Sequence, residues 1–574
     1  MAKFAPSRRR PPALSSRRGA PPVGALVGVV ALSLFLSGFC GIISELSLFN
    51  LAEGLLGGTN ANLTYTMGLM MFAMGLGSAF TAHRWLREVS VELFIGVECA
   101  LSALTMISVA GIYLLAGWLP GSAALWIWTV SPLVGLLVGL EIPIVLRINE
   151  VLGLRLSLNA PLVMAPDYFG ALAAFVLFTF LLLPSLGLGQ VAWLGGVLNL
   201  AVAGLVALMF RRHLRRPLAV LVGVGALLAL AAGLGWRMPQ LMAFAEQLHF
   251  RDGITWARET PYQRIVVTDR QRPGNPAYSQ REPSGKAVAE EGAHVLREVS
   301  GRHSAYCAED IRLYINGGLQ FSTCDEHRYH EMLVHPAVSL APPAGAGGSR
   351  RALVLGGGDG LAVRELLKYR DIAVQLVELD GAMVDLFRDD ARFSRLNGGV
   401  LKDPRVKITV GDAFRFLREN RRRYEVILMD FPDPHQTGTA RLYSTQFFRF
   451  AARALAPGGV LVTQSMSPLF HPRAFLSVRK TMEAAGLRVV SLQVPMLTFE
   501  HWGFQVGTLD RSASDMRARL EEFRPVVPTR YLNREAVQAA WRWDKEFAAD
   551  GAEVPVNDQF TLPLPGLYRE TLRR

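Results

Sequence analysis

Cysteine is scarce. The chain has four in 574 residues, Cys40, Cys99, Cys307 and Cys324. No two form a CxxC pair or stand at metal-ligand spacing, which excludes zinc-ribbon and thioredoxin-like readings. Cys40 and Cys99 lie in apolar segments and read as small core residues. Cys307 and Cys324 are free to pair or not. A zinc-protease HExxH motif is missing too. His330 and His335 stand five apart and diverge on a helix, so no metal is expected. Nucleic-acid-binding signatures are absent although the formal charge is +12. Many of the arginines lie in the N-terminal tail and in short loops between apolar segments, where they set membrane topology. No nucleic-acid partner is expected.

Charge is also thin before about residue 236. With 51% hydrophobic residues overall, the chain reads as a membrane half followed by a soluble half. Residues 1–22 form a basic, disordered tail. The run from Val23 past Leu46 is too long for a cleaved signal peptide. Further spans are predicted near 63–83, 91–117, 124–146, 160–184, 188–210 and 218–235, so the membrane domain covers 23–236 with about seven helices. Arg84, Arg87, Arg147, Arg155, Arg211, Arg212, Arg215 and Arg216 fall on one side. The positive-inside rule then puts the N-terminus in the cytoplasm. Seven crossings would place the soluble half outside, unless one segment does not cross. Acids recur in this half: Glu45, Glu53, Glu98, Glu141 and Asp167. Bonding between helices is the ordinary role for such groups, and cation passage is the alternative.

The soluble half is organised around Arg351-Ala-Leu-Val-Leu-Gly-Gly-Gly-Asp-Gly360. A buried strand, a glycine turn and a helix make the first unit of a nucleotide-binding α/β sheet. Gly356, Gly358 and Gly360 let the backbone turn sharply and approach a ligand. Asp359 is the odd residue, because a phosphate cradle would not place a carboxylate there. The ligand expected is a nucleoside with a cationic tail.

Later strands, Ala373 to Val377, Val406 to Val410, Glu425 to Met429 and Gly459 to Thr463, follow at regular spacing. Glu378, Asp412 and Asp430 stand at or just beyond strand carboxyl ends, where open α/β sheets bind ligands. Glu378 is placed for ribose hydroxyls, Asp412 for an adenine amino group, and Asp359 for the charged tail. Asp430 and Asp433 form a paired-acid loop stiffened by Pro432 and Pro434.

Ahead of this sheet, 237–350 reads as a linker and a small antiparallel β-domain. It contains a strand at 260–269, a polar insertion at 270–309 and a hairpin at 311–321 turning on Asn316-Gly317. Residues 325–340 read as a helix. The catalytic Rossmann-like domain spans 351–510, with 495–508 closing the sheet, and 511–574 is a helical, mixed-charge tail.

These residues, in this order, resemble the spermidine synthases, the polyamine aminopropyltransferases, in the form with an N-terminal multi-span membrane domain. The resemblance covers roughly 255–510. It rests on Tyr262-Gln263, Asn316-Gly-Gly-Leu-Gln320, Asp325-Glu326, Tyr329-His330-Glu331, Gly356-Gly-Gly-Asp-Gly360, Glu378-Leu-Asp380, Gly411-Asp412 and Asp430-Phe-Pro-Asp433-Pro434. Glu141-Ile-Pro143 and Asp167-Tyr-Phe-Gly170 also look like that subfamily's membrane half.

The resemblance implies transfer of an aminopropyl group from decarboxylated S-adenosylmethionine to putrescine or a related amine, giving spermidine and methylthioadenosine. The donor is a co-substrate, and no cofactor is expected. It implies that Gln263, Gln320 and Asp359 hold the aminopropyl amine, Glu378 the ribose and Asp412 the adenine. Asp430 is then the acid-base residue and Asp433 positions the diamine. His330 joins the substrate-binding set, and Gly356, Gly358 and Gly360 the donor loop. A homodimer or homotetramer is the expected assembly, and the bilayer a partner. The donor's cytosolic origin places the catalytic domain in the cytoplasm.

Three departures leave the acceptor open: no clamping tyrosine in Pro495-Met-Leu-Thr498, Asp430-Phe-Pro-Asp433 in place of an Asp-Ser-Ser-Asp loop, and the 270–309 insertion. The competing readings are a membrane polyamine transporter or sensor with a binding-only soluble domain, and an S-adenosylmethionine-dependent methyltransferase. Asp359 disfavours the methyltransferase, because that donor's own carboxylate would face it.

Overall fold

A computed structural model of the chain describes residues 23–56, 60–81, 90–151, 156–212, 214–270, 309–345, 348–498, 501–543, 545, 547 and 553–570. The tail 1–22, Cys307 and nearly all of the 270–309 insertion lie outside these residues. The chain divides near His249 into two compact units.

The first unit is helical. Its helices are α1 (Val23–Leu56), α2 (Asn60–Phe80), α3 (Val91–Trp118), α4 (Ala123–Val151), α5 (Leu156–Leu177), α6 (Leu188–Met209) and α7 (Pro217–Gln247). Seven stretches within them are long and apolar enough to cross a bilayer. A π-helical turn, Phe178–Leu182, carries α5 on to Leu186. Close helix contact is bought with glycine. A Cβ on Gly139 would run into the Met74 carbonyl, and one on Gly170 into that of Phe35. The last helix does not stop at residue 236. It continues through Trp236, Arg237 and Pro239 to Gln247, because Pro239 and one arginine interrupt apolarity without ending the helix.

The second unit opens with a four-stranded antiparallel sheet in the order β1 (Gly253–Glu259), β2 (Arg264–Asp269), β3 (Ile311–Ile315), β4 (Gly318–Ser322). The strand expected at 260–269 starts at Arg264, since Thr260 to Gln263 form the turn from β1. There the Thr260 hydroxyl and amide both bond the Gln263 carbonyl. Asn316 and Gly317 both have positive φ, 48° and 80°, as a two-residue hairpin turn demands.

Helix α8 (Glu326–Leu340) leads into a seven-stranded sheet in the order β10-β11-β9-β8-β5-β6-β7. Its strands are β5 (Arg350–Gly356), β6 (Ile372–Glu378), β7 (Val406–Val410), β8 (Tyr424–Asp430), β9 (Leu455–Gln464), β10 (Arg488–Pro495) and β11 (His501–Thr508). The five strands β5 to β9 run parallel, and β11 pairs antiparallel with both β9 and β10. Near-continuous apolar runs such as Leu353-Val-Leu355 and Ile427-Leu-Met429 are buried on both faces, as central parallel strands require.

The stretch 511–574 is more than a tail. Met516, Leu520 and Val537 join the core on one face of the sheet, and Leu564 and Leu567 the core on the other.

Candidate active site

The order of the central strands decides which side chains meet. β5 lies between β6 and β8, so the ends of all three are neighbours. Gly356, last in β5, is in register with Asp430, last in β8. A Cβ on Gly356 would run into the Asp430 carbonyl. Gly356, Gly357 and Gly360 have φ of 80°, 67° and 77°, the left-handed region where glycine is at home. The turn therefore lies flat over the strand ends. At the loop's far side the Gly358 amide donates to Glu378 (3.1 Å), and the Asp380 amide donates to the same carboxylate (3.0 Å).

Asp359 accepts from the Leu361 amide (2.8 Å), the first turn of helix Leu361–Leu367. Burial raises the Asp359 carboxyl to about 6. His330 works against that rise, while Asp430 adds to it. Glu378 is pushed to about 7 by burial, in spite of its two backbone bonds, with Asp380 and Asp359 adding to the rise. Perturbed carboxyls gathered at strand ends in this way mark a candidate functional site.

His330 comes from α8. Its Nδ1 meets both the backbone carbonyl (2.7 Å) and the carboxylate (2.9 Å) of Glu326. Burial opposes the imidazolium, but the Glu326 bond and charge overcome it and hold His330 at about 9. Glu326 in turn is lowered to about 2. Burial works the other way there and is overcome by His330 and Arg364. Arg364 donates to both Glu326 oxygens, at 3.0 and 2.9 Å. His330 thus sits at the site as a charged, supported imidazolium rather than as a free base.

The next residue back, Tyr329, donates its hydroxyl to Asp430 at 2.7 Å. Burial and the Asp430 charge push this phenol well above its ordinary range, so it keeps its proton. Asp433 follows on the loop after β8. It accepts from Gln464 at the end of β9 (3.2 Å) and from the Tyr568 hydroxyl (3.1 Å). Burial lifts Asp433 to about 6 against those two bonds. Gln464 also donates to the Phe431 carbonyl and to Tyr443, each at 2.7 Å. That network sets the course of the 431–433 loop. Tyr568 stacks on His471 with ring centroids 4.0 Å apart.

The structure therefore brings together His330, Asp359, Glu378 and Asp430, with Asp433 on the adjoining loop. Asp412 follows β7 at the edge of this group, next to Gly411, whose amide donates to the Glu378 carbonyl (2.8 Å). It is exposed and caps helix Ala413–Glu419 by accepting from the Arg415 amide (2.6 Å). Phe414, Gly438 and Leu442 line a hollow with it. The two glutamines have protein partners of their own. The Gln263 amide is taken by Asp380 (2.9 Å), which the Thr260 hydroxyl also reaches (2.8 Å). Gln320 folds back on the Gly318 carbonyl (3.1 Å). Gln263 thus reaches across to the residue that caps helix Gly381–Asp389, while Gln320 bonds within its own hairpin.

Tyr329, Tyr443, Gln464 and Tyr568 went unassigned in the sequence. Tyr329 had a signal in its place beside His330. Tyr568 had none, because it comes from a helix, Leu564–Glu570, more than a hundred residues from its partner. Cys324 is disulfide-bonded, while Cys40 and Cys99 are free.

Residues 326–514 match the spermine/spermidine synthase domain. Polyamine aminopropyltransferase 1 of Streptomyces coelicolor is 36% identical over 519 residues, covering 89% of each chain. The polyamine aminopropyltransferase of Oceanobacillus iheyensis is 32% identical over 512 residues, covering 88% of this chain and 90% of its own. A spermidine synthase structure from Thermotoga maritima aligns with 52% of this chain and 87% of its own, at 18% identity and a TM-score of 0.39. The two curated relatives extend across both units, and with the domain match on the strands that carry the acids, the chain belongs to the polyamine aminopropyltransferase family.

Proposed function

We propose that this protein is an aminopropyltransferase that moves the aminopropyl group of decarboxylated S-adenosylmethionine to putrescine or a related amine. The observation that carries this reading is the set of carboxylates at the ends of β5, β6 and β8, Asp359, Glu378 and Asp430, with Asp433 just beyond. An acid inside the glycine loop suits a donor that ends in an amine. It repels ordinary S-adenosylmethionine, whose carboxylate would meet a like charge.

The chemistry follows from the groups present. An alkylamine has an ordinary pKa of about 10 and is mostly protonated at neutral pH. Asp430 takes a proton from the acceptor ammonium. The freed nitrogen lone pair forms a bond to the carbon beside the sulfonium. The carbon–sulfur bond breaks, its electrons pass to sulfur, and neutral methylthioadenosine leaves. Tyr329 holds the Asp430 carboxylate in orientation. Asp433 takes the acceptor's other ammonium. Asp359 holds the donor amine, Glu378 its ribose, and Asp412 its adenine amino group above the Leu442 wall. Gly356, Gly358 and Gly360 let the donor lie against the backbone. Gln263 and Gln320 join Asp359 at the donor amine, with Gln263 steadied by Asp380.

The test is formation of methylthioadenosine by the purified full chain given decarboxylated S-adenosylmethionine and putrescine. Product is expected. Absence of product with every diamine tried overturns the assignment.

The helical unit is proposed to lie in the bilayer, and the donor's cytosolic origin places the catalytic unit in the cytoplasm. A second reading puts it on the opposite face. It is favoured by an odd number of candidate spans after an arginine-rich N-terminus and by the disulfide at Cys324. A reporter fused after Arg574 separates them, a cytoplasmic signal supporting the first and an external one the second.

A further inference from the structure

The reaction leaves one cluster of acids unused, and it lies inside the helical unit. Ser37 on α1 donates to Glu141 on α4 (2.6 Å) and approaches Glu98 on α3 (3.4 Å). One hydroxyl hydrogen is therefore shared between two carboxylates. Ser37, Glu98 and Glu141 are 2%, 0% and 4% exposed. The second oxygen of each carboxylate, Glu98 Oε2 and Glu141 Oε1, is buried and bonded to nothing.

A separate observation comes from α6. Asn199 is 1% exposed, and its amide nitrogen leans on the Glu98 backbone carbonyl (3.4 Å). Its own carbonyl oxygen is buried without a donor. The Ser37 hydroxyl and the Asn199 amide nitrogen are the donors these groups meet, and three buried acceptor oxygens, on α3, α4 and α6, remain without one. Asp167 on α5 packs against the backbone of Gly38, beside Ser37. The ionisable groups close enough to act on the pair are Cys40 on α1, Cys99 on α3 and Asp167.

Among the described residues no cation is bonded to these acids: helices α1, α2, α3, α5 and α6 contain no Lys, Arg or His, α4 contains only Arg147, six residues past Glu141, and α7 only Arg237. Two bare carboxylates in so apolar a place would cost several kcal/mol each, on the order of the penalty for any unpaired buried ion. Buried acceptors of this kind normally have a partner.

We infer that Glu98, Glu141, Ser37 and Asn199 form a binding site for a single small cation, a proton or a dehydrated alkali ion. The donor set is oxygen alone, which suits a hard cation. Side chains this thoroughly buried leave a diamine no way in, so the site is distinct from polyamine binding. Pro143, two residues after Glu141, removes a backbone bond in α4, as helices near intramembrane ion sites often do. The inference is independent of the reaction proposed for the catalytic unit.

The experiment uses the full chain in detergent micelles. Sodium chloride is exchanged for choline chloride at constant ionic strength, and the thermal midpoint is followed at neutral and alkaline pH. An alkali-ion site gives a saturable rise of the midpoint with sodium. A proton site gives no sodium response. It gives instead a midpoint that falls as pH rises, with an infrared carboxylic-acid band that persists at neutral pH and disappears at alkaline pH. Either result supports the site if it is lost in the Glu98→Gln/Glu141→Gln variant. Wild type showing neither response, which requires no variant to fold, overturns the site. So does a double variant responding as wild type does.

Discussion

The Tyr329 hydroxyl donates to Asp430 at 2.7 Å, and the tyrosine sits one residue before His330 on the same helix. The carboxylate that takes the acceptor's proton is thus aimed from α8, not from its own loop. Replacing Asp430 with Asn removes the base and should lower kcat by about 10²–10⁴-fold. Tyr329→Phe should cost about tenfold in kcat, the worth of one hydrogen bond to a charged group. Methylthioadenosine release measures both. A fall in kcat with KM for putrescine unchanged separates positioning from binding.

Asp359→Asn should weaken the intended donor and narrow the preference over ordinary S-adenosylmethionine. The lost ammonium–carboxylate bond is worth about 1.5–3 kcal/mol, roughly ten- to a hundredfold in kcat/KM. Competition between the two donors, read as the inhibition constant of S-adenosylmethionine, checks this. An unchanged ratio would remove Asp359 from donor choice.

Tyr568→Phe takes the donor from Asp433 and unsettles a carboxylate held at about 6. KM for the acceptor should rise by several-fold, about 1 kcal/mol for one hydrogen bond. KM for decarboxylated S-adenosylmethionine should stay the same. Steady-state kinetics with each substrate varied in turn distinguishes the two.

The site's acids give the pH dependence its sign. Asp359 and Asp433 at about 6, and Glu378 at about 7, lie above their ordinary values. The ligand-free fold therefore holds more protons than the unfolded chain between about pH 4 and 7. Its stability from these groups is present at low pH and is lost as pH rises through 6 to 7. A cationic ligand reverses this by favouring the ionised forms. The thermal shift caused by decarboxylated S-adenosylmethionine should grow from pH 5.5 to 7.5, and kcat/KM should rise over the same range, with ~pH 6–7 as its midpoint.

Glu326→Gln should destabilise the catalytic unit by about 3–5 kcal/mol, since it leaves His330 and Arg364 facing each other without their shared carboxylate. Stability from this group is present above its unfolded value and is lost as pH falls toward 2. His330 contributes fully below its ordinary 6.5 and loses its share as pH rises through about 9. Urea denaturation of wild type and variant across that range measures both limbs.

Much of this protein was legible in one dimension. Apolar runs of span length, the glycine turn and the repeat of strand, acid and helix are local patterns. A parallel sheet aligns strand ends whatever the loops between them do, so the spacing of Asp359, Glu378 and Asp430 was enough to bring them together. Glu98 and Glu141 could be named as misplaced acids because any charge in such a run is anomalous. What tertiary structure alone decided are the partners. Gln263 meets Asp380, 117 residues along the chain, only because the fold brings the β1–β2 turn to the end of β6, and strand β1 was visible only through its pairing with β2. Tyr568 reaches Asp433, and Ser37 bridges two glutamates on other helices, through packing that no sequence period encodes. A hydrogen bond depends on a few tenths of an ångström between segments far apart in the chain, and only the folded whole sets that distance.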